Sequence, residues 1–136
     1  MIDPSYEGQA FPPVSYTIER NKLSEFLRAI GEDSLAYEGD DPPLPPTFAT
    51  MVMFWGGGGL EGVLKQIGVD IQNVLHGEQG YEYLSPAHIG DTITGTTRIS
   101  RVYERAGMQF VEFITDYVNQ SQTPVLMGRS LIIVRE

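Results

Sequence analysis

Residues Phe48-Ala49-Thr50-Met51-Val52-Met53-Phe54-Trp55 are apolar almost all round. A helix with no polar face must be buried on most sides. Gly56-Gly57-Gly58-Gly59 follow directly. Each glycine inside a helix costs roughly 1 kcal/mol relative to alanine, so four together should interrupt it. Leu60, Val63, Leu64 and Ile67 then resume helical spacing, and Gly68 ends it. The chain must therefore wrap something extensive round one very apolar, broken helix.

The wrapping material lies downstream. Gly77–Leu84 reads as a short strand, and Thr92–Arg105 and Met108–Asn119 as two long ones, joined at Ala106-Gly107 by a tight hairpin. Val125–Arg135 is the last strand, after a polar turn at Gln120-Ser121-Gln122-Thr123. Along 108–119, Phe110, Glu112, Ile114, Asp116 and Val118 point one way and Val111, Phe113, Thr115, Tyr117 and Asn119 the other. Both faces are partly apolar, as expected where one packs a helix and the other face or edge meets another chain.

Upstream, residues 1–13 are irregular and 14–18 alternate like a short strand. Asn21 is a candidate N-cap for a helix over about 22–30, with Leu23, Phe26, Leu27 and Ile30 on one face and Gly31 as C-cap. Residues 31–46 form a loop with five acids and four prolines, and Thr47 is the candidate N-cap of the apolar helix. One sheet round one helix is an α+β architecture and matches the hot-dog fold. Residues 1–136 read as a single domain.

Composition narrows the partners. With 41% hydrophobic residues the chain can bury a real core, and without cysteine it has no disulfide and no thiolate zinc site. A net charge of −9 argues against nucleic acid. An anionic ligand would need local cations or a partner chain to attract it. No stretch reaches the roughly 20 apolar residues of a membrane span. Met1-Ile2-Asp3-Pro4 has no basic or apolar leader character. The expectation is a soluble, cytoplasmic protein that engages no membrane.

Few residues carry obvious chemistry. The glycine run lacks the Lys-Ser/Thr of a phosphate loop and the preceding strand of a dinucleotide fingerprint. It reads as a flexible interruption, or as open space beside the buried helix. His76 and His88 are the only imidazoles and form no metal motif, so no metal is expected. His76 reads as a ligand contact or as a structural residue at a subunit contact; His88, in a polar turn, reads as solvated. Arg98, Arg101 and Arg105 share one strand, where strict alternation sends Arg98 and Arg101 to opposite faces. They read as a local phosphate site or as outer-face charge beside Glu104 and Glu112, and Arg129 and Arg135 share a face of the last strand.

Several segments, in order, resemble the MaoC-like hydratase/dehydratase family. They are Phe26-Leu27-Arg28-Ala29-Ile30-Gly31-Glu32-Asp33 with Tyr37, Pro45-Pro46-Thr47-Phe48, and Leu75-His76-Gly77-Glu78-Gln79 with Tyr83. Ser85-Pro86, Ile89-Gly90-Asp91-Thr92-Ile93 and Leu131-Ile132-Ile133-Val134-Arg135 complete the pattern. The resemblance is strongest to the non-catalytic N-terminal half of double-hot-dog dehydratases related to fungal fatty-acid synthase. It implies hydration of a 2-enoyl thioester, or dehydration of a 3-hydroxyacyl thioester. In that family a loop reading Gly-Asp-x-Asn-Pro-Leu-His holds and activates the water. A backbone N–H at the start of the central helix polarises the thioester carbonyl. Here the Asp position is Glu32 and the His position is Tyr37. A tyrosine titrates near pKa 10, against about 6.5 for histidine, so Tyr37 is a poor base at neutral pH. Glu32 keeps a carboxylate on a longer arm.

The resemblance thus implies a chain without its own dyad, paired with a catalytic MaoC-like subunit as a heterodimer or heterotetramer. Its task would be to hold a bulky acyl group, such as a steroid side chain or long acyl chain on coenzyme A. No cofactor is expected beyond that substrate. The candidate acyl contacts are Thr47, Phe48, Met51, Trp55, Gly56, Gly57, Gly58 and Gly59 on the central helix. Arg98, Arg101 and Arg105 are the candidate phosphate contacts. One alternative is a self-sufficient homodimeric hydratase using His76 with Glu32 or Asp33. Another is a non-enzymatic acyl-thioester-binding module. Hot-dog folds also host thioesterases, so architecture alone does not settle the reaction.

Overall fold

The computed structural model describes residues 1–135. Strand β1 (Val14–Thr17) precedes helix α1 (Arg20–Ala29). Helices α2 (Ala49–Gly57) and α3 (Gly59–Gln66) follow the acidic, proline-rich loop. The remainder is β2 (Val74–Tyr83), β3 (Thr92–Arg105), β4 (Met108–Val118) and β5 (Pro124–Val134). All five strands form one antiparallel sheet in the order β1-β3-β4-β5-β2. The sheet wraps α2 and α3, which is the hot-dog arrangement. No helix among the described residues is long and apolar enough to cross a membrane.

Local chemistry explains the element ends, with three departures from the sequence reading. The β3–β4 hairpin turns on Ala106 (φ 52°) and Gly107 (φ 75°), the double positive φ of a two-residue turn that matches strand twist. Helix α1 begins at Arg20, so Asn21 lies inside it and caps nothing. Thr47 is no side-chain cap either. The first turn is held by Thr50 N–H to Thr47 C=O (3.0 Å) and Met51 N–H to Phe48 C=O (2.9 Å). Strand β2 starts at Val74, so Gly77 sits within it rather than opening it.

The glycine run divides in two. Gly56 and Gly57 stay within α2, which crosses β1 there at a range that admits no side chain: a Cβ on Gly56 would lie 2.8 Å from the Ser15 carbonyl oxygen, and one on Gly57 would overlap the Val14 side chain. The break falls at Gly58 and Gly59, with φ of +74° and +66°, a conformation glycine adopts without steric cost. Gly58 N–H reaches back to the Phe54 carbonyl at 3.2 Å and closes α2. Ala49, Met51 and Val52 are buried as expected, whereas Phe54 and Trp55 at the far end of α2 are exposed.

Two apolar clusters make up the core. One joins Met51 and Val52 to Ile18, Ile93 and Leu126; the other joins Leu64 to Ile99, Val111 and Ile132, with Ile2 and Phe11 folded in from the N-terminal segment. Burying each such side chain contributes roughly 1.5–3 kcal/mol.

Two β-bulges reset the faces of the sheet. In β3 the register shifts between Ile99 and Arg101, and in β2 between His76 and Glu78. An extra residue on one strand reverses alternation beyond it. Arg98 therefore pairs with Ile114, Arg101 with Glu112 and Arg105 with Met108, all on the outer face of β4. The expectation that Arg98 and Arg101 diverge is corrected: the bulge at Ser100 returns all three arginines to one side.

Candidate functional site

A cavity of about 470 Å3 lies between the helices and the concave face of the sheet. Such volumes suit a small-molecule ligand. Its roof is Thr50, Met53, Phe54, Leu60, Val63 and Ile71. Its floor comes from rows of cross-strand neighbours. One row runs Thr97, Thr115, Gly128, Tyr81 across β3, β4, β5 and β2, and the next runs Ile99, Phe113, Ser130, Gln79. His76 stands opposite Ile132 in the row after that. The bulge at Gly77 is what lets His76 and Gln79, three apart, both face inward and line the cavity. Phe54 and Ile71 are exposed at the rim.

The floor combines hydroxyls with rings. Thr97 and Thr115 are buried, and their hydroxyl oxygens lie 2.8 Å apart. Tyr117 stretches across the strands, since a Cβ on Gly95 would lie 2.9 Å from its ring and one on Gly128 would lie 3.4 Å from it. Burial pushes the Tyr117 hydroxyl well above the ordinary tyrosine range, with Tyr81 adding to the rise and Thr115 opposing it. Burial likewise raises Tyr81, against the opposing influence of the Thr50 hydroxyl. The lining contains no aspartate, glutamate, lysine or arginine, and His76 is its one imidazole.

The two dyad positions lie elsewhere. Glu32 follows α1, where its Oε1 accepts the Ser34 N–H at 2.8 Å and closes a local turn. Tyr37 ends the short 3-10 turn Leu35–Tyr37, capped by Ser34. Neither lines the cavity, nor does Asp33, so the His76 pairing with Glu32 or Asp33 is not assembled within one chain.

The eight helix positions read as acyl contacts also fall outside the lining. Met51 is packed in the core, and Phe48 lies under a separate open groove shared with Pro42, Pro43, Tyr83 and Leu84. Thr47 is exposed where α2 begins. Trp55 is exposed, with the Lys22 ammonium 5.1 Å from its ring. Gly56 and Gly57 are filled by β1, a Cβ on Gly59 would lie 2.9 Å from the Phe54 ring, and one on Gly58 would lie 4.0 Å from the Gly62 Cα. The run admits close packing rather than a channel. Arg98, Arg101 and Arg105 lie across the sheet from the cavity, where Arg98 is held 2.5 Å from Asp116. His88 is exposed as expected, its Nδ1 3.0 Å from Asp41.

The cavity residues that sequence reading missed are mainly Gln79, Tyr81, Thr97 and Ser130. Thr115 and Tyr117 were visible on the face they share with Val111 and Phe113, but nothing in the pattern marked that face as a floor.

Comparison with known proteins agrees with this architecture. Residues 5–127 match the family described as FAS1-like, dehydratase domain region. A UPF0336 protein of Streptomyces griseus is 30% identical over 145 residues, covering 98% of this chain and 95% of that one. Among solved structures, the C-terminally truncated HadBC (3R-hydroxyacyl-ACP dehydratase) complex of Mycobacterium tuberculosis superposes with a TM-score of 0.80 at 20% identity, covering 94% of this chain and 96% of the matched one. A MaoC-like dehydratase from Phytophthora capsici superposes with a TM-score of 0.72 at 24% identity, covering 96% of this chain but 47% of its own.

Proposed function

Because this chain belongs to the FAS1-like dehydratase-region family and is a MaoC-like hot-dog protein, we propose that it is the acyl-holding, non-catalytic subunit of a heteromeric hydratase/dehydratase of acyl thioesters. The observation that carries this reading is a ligand-sized cavity with no carboxylate in its lining, while Glu32 and Tyr37 stand outside it. Adding water across an enoyl double bond needs a positioned base for the water and an acid for the α-carbon. The cavity offers one imidazole, His76, and no carboxylate to pair with it. The catalytic carboxylate and imidazole then come from a second hot-dog chain.

Three observations support such a partner. Strand β2 is an edge of the sheet, ten residues long and exposed along most of its length, an arrangement that favours pairing with another chain. Phe54 and Ile71 at the cavity rim are exposed, and so is Leu75 on that edge strand. The matched HadBC structure is a complex of dehydratase chains. The substrate is read as a long or bulky acyl group on coenzyme A. Its phosphates would be met mainly by the partner, because this chain carries a net charge of −9 and its β3 arginines lie on the outer face.

Reconstitution tests the reading. The chain alone, and together with a MaoC-like chain carrying the intact Asp and His loop, would be assayed for hydration of crotonyl-CoA and of bulkier enoyl-CoA thioesters. The expected result is no turnover by the lone chain, with the complex extending the partner's range to larger acyl groups. Full activity of the lone chain would establish the self-sufficient enzyme instead. Acyl-thioester binding without turnover by any complex would establish the binding module.

A further inference from the structure

Among the described residues, Thr97, Thr115 and Gln109 are buried polar side chains, and two of the three belong to the cavity floor. Gln109 is consumed elsewhere: its side chain donates to the Ile2 carbonyl at 2.6 Å and accepts the Ile2 N–H at 2.5 Å. Thr97 pairs with Thr115 at 2.8 Å, and Thr115 also shares a hydrogen bond with the Tyr117 hydroxyl. A hydroxyl carries one proton and two acceptor positions. Across these three hydroxyls two protons are used, leaving one proton and further lone pairs beside the cavity. The same space is bordered by the hydroxyls of Tyr81, Tyr117, Thr50 and Ser130. A pocket built for a bare hydrocarbon chain gains nothing from this. Valine has nearly the shape of threonine and would line it without desolvating a polar group.

We infer that the acyl group taken by this cavity carries an oxygen function, a hydroxyl or a keto group, which reaches the Thr97–Thr115 pair on the sheet floor. This rests on the acyl-holding role proposed above and names the class of acyl group within it. The geometry restricts the position: the pair sits mid-sheet, while His76 and the exposed rim residues Phe54 and Ile71 lie toward the opening. The oxygen therefore lies along the acyl chain, away from the thioester.

The test uses the reconstituted complex and two probes, 2-dodecenoyl-CoA and the same thioester with a mid-chain hydroxyl. The hydroxylated probe should show a kcat/KM roughly three- to ten-fold higher, the range one net hydrogen bond supports. The double change Thr97→Val and Thr115→Val replaces both hydroxyls by apolar groups of the same shape, and its melting temperature checks that the fold survives the loss of the Tyr117 hydroxyl's neighbour. The same double change should lower kcat/KM for the hydroxylated probe roughly three- to ten-fold more than for the plain probe, so that the preference disappears. Thr97→Ser with Thr115→Ser keeps both hydroxyls and should keep the preference. Equal kcat/KM for the two probes, or a preference that survives the valine pair, overturns the inference and leaves the subunit role standing. Turnover of neither probe overturns the subunit role and the inference with it.

Discussion

His76 and Gln79 are three residues apart on one strand, yet both side chains face the same cavity. Strict alternation forbids this. The bulge at Gly77 permits it by inserting one residue between the pairs His76–Ile132 and Glu78–Leu131. Bulges re-aim side chains next to functional sites. Here the re-aimed pair lies on the edge strand, where the cavity approaches the open side of the sheet.

His76 should therefore act on binding. In the reconstituted complex, His76→Ala should raise KM roughly three- to ten-fold while kcat changes by less than about two-fold, the signature of a lost contact common to ground and transition states. Steady-state kinetics with a bulky enoyl-CoA checks it. A collapse of kcat with KM unchanged would instead make His76 a catalytic group.

The glycine run should be sensitive for two different reasons. Gly56→Ala places a methyl group against the Ser15 backbone and should cost roughly 1–3 kcal/mol through overpacking. Gly58→Ala meets only an ordinary 4.0 Å contact with the Gly62 Cα but forces a left-handed φ of +74°, and should cost about 1 kcal/mol. Urea unfolding midpoints of the two variants separate these effects from any change in ligand binding.

Alkaline pH should unfold the protein in part through its buried phenols. Burial raises the Tyr117 and Tyr81 hydroxyls above their unfolded value near 10. A group raised on folding contributes stability that is complete below the unfolded pKa and is lost as pH climbs through it. Stability should hold up to about pH 9 and fall from about pH 10 upward. Tyr117→Phe should flatten that decline, as read by denaturant titrations across the alkaline range.

Assembly should depend on the exposed edge. Leu75 is 44% exposed on β2. Leu75→Lys puts a charge where an edge strand would meet its partner, a device that blocks strand pairing. The variant should weaken the heteromer at least about ten-fold by sedimentation, a loss of roughly 1.4 kcal/mol, with the melting temperature of the lone chain nearly unchanged.

Much of the fold was legible in the sequence. The limits of β3, the Ala106-Gly107 turn and the burial of Leu23 and Phe26 on α1 follow from local chemistry, because periodicity and turn residues act over a few neighbours, whereas Ile30, read onto the same stripe, caps the helix and is exposed. The faces of β3 and β2 were not legible. Ser100 and Gly77 are bulges, defined by the partner strand's register rather than by their own residues. That single effect moved Arg98 to the side of Arg101 and brought Gln79 to the side of His76. The glycine run misled for a related reason. A missing side chain marks open space only if nothing else approaches, and at Gly56 and Gly57 strand β1 does. The degenerate positions Glu32 and Tyr37 were readable as residues, but their distance from the cavity required the fold.

The most direct measurement compares two losses in one reconstituted complex. Glu32→Ala with Tyr37→Phe in this chain should leave kcat for a bulky enoyl-CoA within about two-fold of the unaltered complex, since neither residue meets the cavity. Replacing the partner's loop histidine by alanine should remove turnover. Loss of turnover from the change in this chain, with the partner's histidine change tolerated, would contradict the account and place the chemistry here.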